Sequence, residues 1–480
     1  MSQWKKVFES NISLYARIIK KYLLDNGWTS ISLDNYIKTM PAFQVKDAIL
    51  SKEYKKEGKY PIVSQSKDLI SGYFDDKLLL NQISKPIIIF GDHTQVVKYI
   101  DFDFILGADG TKILTVSEDY NPKFFYYLIK AIDLHSNKYA RHYSKLRKEN
   151  IPYCKETLLI QSNIVSFLDS LADNCISHKI FFDEKTEQEI ITLQKKFYNI
   201  SSIEIETEIQ KTYVKQLRQN ILQDAIEGKL TADWRKLHPV IKGNPAYDAE
   251  ALFEKIQKGD VSPSLQPAKR SSATPSAGNT PATPPFEIPE SWKWVKLGEL
   301  CNFGNCQNIE PDFIKPNDWI LDLEDIEKDT GRIISIRSFS KNNSQSTKHV
   351  FYKGFVLYSK LRPYLNKVVI APKDGYCTSE ILPLDFGSCN NAKFMQIALM
   401  SPYFVNYTTK LSYGMKMPRL GTNDGKKAWI PLPPLKEQEE IVTKVETLLA
   451  KVTELENQIQ ERKTFSEKLA FGIIKEKLKG

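Results

Sequence analysis

The fold class this 480-residue sequence predicts is α+β: two globular domains separated by two long helical regions that form an antiparallel coiled coil, with a pseudo-twofold internal repeat. Three observations predict it. The last fifty residues carry apolar side chains at Ile441, Val445, Leu448, Val452, Leu455 and Ile459, the alternating four-and-three spacing of a heptad seam. An earlier stretch repeats them: Gln161-Ser162-Asn163-Ile164-Val165 with Leu168 and Leu171 matches Gln438-Glu439-Glu440-Ile441-Val442 with Val445 and Leu448. The offset is constant throughout, from Gln161 against Gln438 to Leu171 against Leu448. The globular parts open alike, Trp28, Ile31 and Leu33 matching Trp292, Val295 and Leu297 with one offset for all three pairs.

In chain order, residues 1–26 are an amphipathic helix, with Trp4, Phe8, Ile12, Tyr15, Ile19 and Leu23 on one face and Asn26-Gly27 as its stop. Residues 27–155 are the first globular domain. Short strand-like runs include Tyr60–Val63 and Pro86–Phe90; the turn Gly91-Asp92-His93-Thr94 ends the second of these, and Gly107-Ala108-Asp109-Gly110 ends the next run. Residues 156–235 are a central helical region. Its seam runs through Ile164, Leu168, Leu171 and Cys175, breaks at Phe182-Asp183-Glu184-Lys185, and resumes to Gly228. Residues 236–289 hold a short helix near 246–258 and a linker rich in Pro, Ser, Thr and Ala. Residues 290–432 are the second globular domain, and 433–480 the C-terminal helical region. Ile430-Pro431-Leu432-Pro433-Pro434 launches that helix, since proline fixes an extended φ and suits a first helical turn.

The net charge of +9 is mildly basic and points only weakly to a polyanion. The six cysteines form no C-x-x-C pair, so free, reduced thiols are expected. No apolar run reaches the length of a membrane span and the N-terminus lacks a signal-peptide core, which reads as cytoplasmic with no membrane partner.

Candidate contact residues concentrate in loops. Lys353–Lys367 delivers Ser359, Lys360, Arg362, Tyr364, Asn366 and Lys367 at the end of a strand-like run. Lys and Ser suit phosphate oxygens, whereas Arg and Asn read guanine and adenine edges bidentately. Tyr413–Arg419, with Lys416 and Arg419, lies shortly before the last helix, as Arg141, Lys145 and Arg147 lie before the first repeat helix. Gln65, Ser66, Lys67, His93, Thr94 and Lys98 are candidates of the same kind. A solvated basic loop is the competing reading for each run alone; two runs in equivalent places weigh against it.

Catalytic readings fail on residue type. His93 beside Asp92 reads as a turn, and Asp109 between glycines likewise. Thr283-Pro284-Pro285-Phe286 lacks the Asn or Asp that an amino-methyltransferase tetrapeptide needs in place of Thr283. Pro311-Asp312 has no following nuclease-type lysine tripeptide. Neither a P-loop nor a dinucleotide loop is present in the sequence.

Two divergent domains, each bordered by Trp-x-x-(Ile/Val)-x-Leu and an Ile-Pro helix launch, resemble the specificity subunit of type I restriction–modification systems. Ile430–Leu448 and Leu217–Leu230 with Trp234-Arg235 carry the resemblance most strongly. It implies two target recognition domains, each reading one half of a split site in double-stranded DNA, with the helices setting the spacer. It also implies two docked methyltransferase subunits and further restriction subunits. No catalytic residue, metal or cofactor is expected on this chain; S-adenosylmethionine, ATP and magnesium would belong to the partners. A lone restriction or methylation enzyme and a protein-binding coiled-coil scaffold are the alternatives.

Overall fold

The computed structural model describes residues 2–39, 43–107, 110–134, 141–175, 179–258, 283–339, 346–388 and 390–479. Asp109, His178, Cys389 and linker residues 261–282 lie outside them. Two compact units are present, Met1–Thr207 with Arg462–Gly480, and Glu208–Glu461. Their borders fall inside the two long helices rather than near residues 155 and 432, because each helix gives part of its apolar surface to each core.

In the first unit, the helix Gln3–Asp25 starts at Ser2, whose hydroxyl accepts from Lys5 N, and stops before Gly27 at φ +90°. Phe8, Ile12, Tyr15, Ile19 and Leu23 are buried, as the spacing predicts. Thr29–Ser32 pairs antiparallel with Asn150–Tyr153, joining the start of the domain to its end. Between them lie a four-stranded sheet, in which Tyr60–Val63 runs parallel to Phe104–Leu106, and a three-stranded antiparallel sheet centred on Ile87–Gly91.

The second unit repeats this plan. Lys293–Lys296 pairs antiparallel with Trp429–Leu432. A five-stranded sheet again contains one parallel pair, Trp319–Leu321 with Gly375–Thr378, and a three-stranded antiparallel sheet is centred on Val356–Ser359.

The repeat extends to contacts that the sequence comparison passes over. Asn121 and Asn391 each begin a helix, Pro122–Ala131 and Ala392–Met400, with side chains that accept from the following backbone N–H groups. Asn121 N donates to Gln161 Oε1 at 2.7 Å, and Asn391 N donates to Gln438 Oε1 at 2.9 Å. Lys123 pairs with Asp169 as Lys393 pairs with Glu446. Thus the register shared by the two repeat helices fixes where each sits on its own domain.

The helical regions differ from the expected continuous seams. The first repeat helix, Leu158–Ala172, is short; Ile164, Leu168 and Leu171 are buried, but Cys175 lies beyond its end and is exposed. A second helix, Glu184–Ile226, follows the expected break. It, rather than Leu158–Ala172, lies along the C-terminal helix Leu435–Lys479. In the first unit Glu189 meets Lys477 and Glu206 meets Arg462; in the second Arg218 meets Glu456 and Leu230 O accepts from Lys444. Partner numbers fall as residue numbers rise, so the pairing is antiparallel. Ile441, Val445, Val452 and Ile459 are buried, whereas Leu455 is 42% exposed and leaves the expected seam.

Among the described residues no helix is long and apolar enough to cross a membrane. Cys154, Cys175, Cys301, Cys306 and Cys377 are free.

Candidate nucleic-acid interface

Each unit builds a loop cluster at the end of the central strand of its three-stranded sheet. In the first unit, Ile87–Gly91 delivers the turn Gly91–Gln95. Asp92 is buried, and its carboxylate accepts from Tyr143 N at 2.7 Å while its carbonyl accepts from His142 N at 2.9 Å. The aspartate therefore fastens the basic segment Arg141–Lys148 to the turn. His93 N donates to Gln65 Oε1 at 3.2 Å and Thr94 Oγ1 donates to Gln65 O at 2.7 Å. Gln65, His93, Thr94, Arg141 and Lys145 are thus brought together, and His93, Thr94, Arg141 and Lys145 are exposed.

Other candidates in this unit are engaged elsewhere. Arg147 is ion-paired with Asp34, so it secures the helix Leu33–Thr39. Ser66 shares a hydroxyl contact of 2.8 Å with Ser71, while Lys67 is exposed. Lys98 is 5% exposed and donates to the carbonyls of Asp68 and Leu69. Burial pushes its ammonium down to about 8. An unfolded lysine titrates near about 10.4, so between these values the unfolded chain binds more protons and stability should rise with pH. Urea unfolding from pH 8 to 10 is expected to show the full chain gaining stability relative to Lys98→Met over that range. Lys112 was not visible as a candidate; its ammonium lies 5.8 Å from the Tyr143 ring centroid, beside the turn.

In the second unit, Val356–Ser359 delivers Lys360–Asn366. Arg362 N donates to Pro418 O at 2.7 Å and Leu420 N donates to Lys360 O at 2.9 Å, which fastens this turn to the hairpin Ser412–Tyr413/Arg419–Leu420. Arg362, Tyr364 and Lys416 are exposed and Lys360 is half-buried. Arg362 sits at φ 49°, ψ 62°, in the left-handed region.

Three candidates here are engaged by partners within the unit. Ser359 is buried and its hydroxyl donates to Leu361 O at 2.9 Å. Lys367 donates to Leu323 O, and burial lowers its pKa. Arg419 is clamped on Glu380: Nε and Nη2 donate to Oε1 at 3.0 and 2.8 Å, and Nε also donates to Oε2 at 3.2 Å. It holds the hairpin base. Phe286, at the end of the rejected tetrapeptide, packs edge-on against Trp294 at 4.9 Å and Tyr403 at 5.5 Å. No cluster of three His, Cys, Asp or Glu side chains suited to a metal ion occurs among the described residues.

Comparison with known proteins places residues 289–462 in a match to the family described as the type I restriction modification DNA specificity domain. The specificity subunit of the type I restriction enzyme EcoDI from Escherichia coli is 29% identical over 246 residues, 51% of this chain and 49% of that protein. That of EcoR124I/EcoR124II, also from Escherichia coli, is 31% identical over 137 residues, 26% of this chain and 33% of that protein. The match therefore spans less than half the length of either relative. Among solved structures, the HsdS subunit from Thermoanaerobacter tengcongensis is 15% identical, covering 95% of this chain and 97% of that chain with a TM-score of 0.35.

Proposed function

Because residues 289–462 match the type I restriction modification DNA specificity domain family, we propose that this chain is a non-catalytic subunit that recognises a bipartite sequence in double-stranded DNA. Each unit reads one half-site. The observation that carries this reading is the twofold occurrence of one device: a strand-end turn fastened by backbone hydrogen bonds to a basic segment, leaving cations exposed. Phosphate contacts fall to Lys67, Arg141, Lys145 and Lys416, and base contacts to Gln65, His93, Thr94 and Arg362, with Lys360 and Tyr364 flanking them. Lys98, Arg147, Ser359, Lys367 and Arg419 hold the loops in shape.

The helices Glu184–Ile226 and Leu435–Lys479 set the number of unread base pairs between half-sites and dock two methyltransferase subunits. Ile209, Tyr213 and Leu217, exposed at four-residue steps on one helix, give such a partner an apolar stripe. S-adenosylmethionine, ATP and magnesium are handled by the methyltransferase and restriction subunits.

The test is selection of random-sequence duplexes on the full chain, followed by affinity measurement across salt concentrations. Two short enriched motifs at fixed separation are expected. Lys145→Ala and Lys416→Ala should each weaken all sequences alike and reduce the slope of log K against log salt by about one. Unchanged slopes in both variants would show that these loops are merely solvated.

A further inference from the structure

The hairpin tip of the second unit carries side chains that neither the core nor a charge contact explains. Met415 is 103% exposed, Met417 45%, and Tyr413 41%, all within one short loop. Gly414 makes the projection possible: its φ is +101°, and a Cβ there would meet Met417 O at 3.1 Å. Beneath the tip the backbone is fixed. Ser412 and Tyr413 pair with Leu420 and Arg419, the Arg362 and Leu420 amides tie the hairpin to the neighbouring turn, and Arg419 is clamped on Glu380. A stiff base thus presents a flexible apolar point.

Its surroundings select the partner. Lys416 stands between the methionines, Arg362 is exposed on the adjoining turn, and the Glu380 carboxylate is already neutralised by Arg419. Apolar atoms framed by cations fit a polyanion whose interior is apolar, which is the character of stacked bases between phosphates. Methionine is unbranched, with three rotatable bonds and a polarisable sulfur, so it can slide between aromatic planes where leucine's branch or a β-branched residue meets more resistance.

We propose that Met415 is a wedge that inserts at a base step of the DNA bound by this unit and partly unstacks it, with Lys416 and Arg362 holding the flanking strands. The inference rests on the DNA-recognition reading and adds a deformation to it. A wedge makes sequence preference depend on how easily a step opens, so a flexible pyrimidine–purine step is expected where Met415 enters.

The experiment uses the full chain and duplexes enriched from a random library, remade with 2-aminopurine at each adenine in turn. One position is expected to brighten several-fold on binding, reporting lost stacking. Met415→Ala should abolish that rise and relax the preference at the step where Met415 enters, leaving the rest of the enriched motif in place, and Met415→Leu should restore part of both. Because the side chain touches nothing that stabilises the fold, the alanine variant remains folded, which circular dichroism verifies. Enrichment of a motif without brightening at any position, or an equal rise in Met415→Ala, would overturn the wedge while leaving DNA recognition standing. If no sequence is enriched at all, the functional reading fails and the wedge with it.

Discussion

Replacing Glu437 with alanine is expected to lower the stability of the unit Glu208–Glu461 by about 3–5 kcal/mol, the usual cost of stranding a buried charge. Glu437 is 1% exposed at the start of the C-terminal helix. Its carboxylate accepts from Thr231 Oγ1 at 2.7 Å, Arg235 Nη1 at 2.5 Å and Trp292 Nε1 at 2.8 Å. These donors come from the end of the helical region and from the first residues of the second domain. Arg235 also donates to Gly228 O at 2.7 Å, and Gly228, at φ +74°, lies so close to Pro289 that a Cβ would come within 2.6 Å of its ring. Removing the carboxylate leaves a guanidinium, an indole N–H and a hydroxyl without their acceptor in a closed junction. Glu437→Gln keeps one acceptor oxygen and should cost less. The position matched to Glu437 in the first repeat helix is Ile160, which is exposed, so Ile160→Ala should be close to neutral. Urea unfolding followed by tryptophan fluorescence checks all three. Equal midpoints for Glu437→Ala and the parent would show that the junction contributes nothing.

Arg362→Gly is expected to move stability and DNA affinity in opposite directions. The turn Pro363–Leu365 is flanked by two residues in the left-handed region, Arg362 at φ 49° and Asn366 at φ 49°. Asn366 has a local reason: it is buried and its Nδ2 donates to Met400 O at 3.1 Å. Arginine has none, and a non-glycine residue there carries strain on the order of 1 kcal/mol. Glycine keeps the Arg362 amide bond to Pro418 O and releases the strain, so thermal or urea stability should rise slightly. Affinity for the enriched duplex should fall by roughly 5- to 150-fold if the guanidinium makes a bidentate base contact worth about 1–3 kcal/mol. Lower stability with unaltered affinity would refute this account.

Much of the architecture was legible in the chain because it is local or periodic. Heptad spacing, Asn26-Gly27, the prolines before Leu435 and the Trp borders at 28 and 292 are set by neighbouring residues, and the repeat can be read twice. The loop pairs were legible as well, since basic and aromatic residues cluster after a strand-like run and before a helix. Partnering was not. Arg147 and Arg141 look alike in sequence, yet Asp34, far back along the chain, takes one and leaves the other exposed. Glu380 removes Arg419 in the same way from a distant strand end, and two loop carbonyls remove Lys98. The choice of helix partner was equally hidden: one seam pattern serves Leu158–Ala172, which closes over its own domain, and Leu435–Lys479, which runs along Glu184–Ile226. Composition states how many cations a loop has. Only folding brings distant carboxylates and carbonyls to them, and those contacts decide which cations remain to meet a ligand.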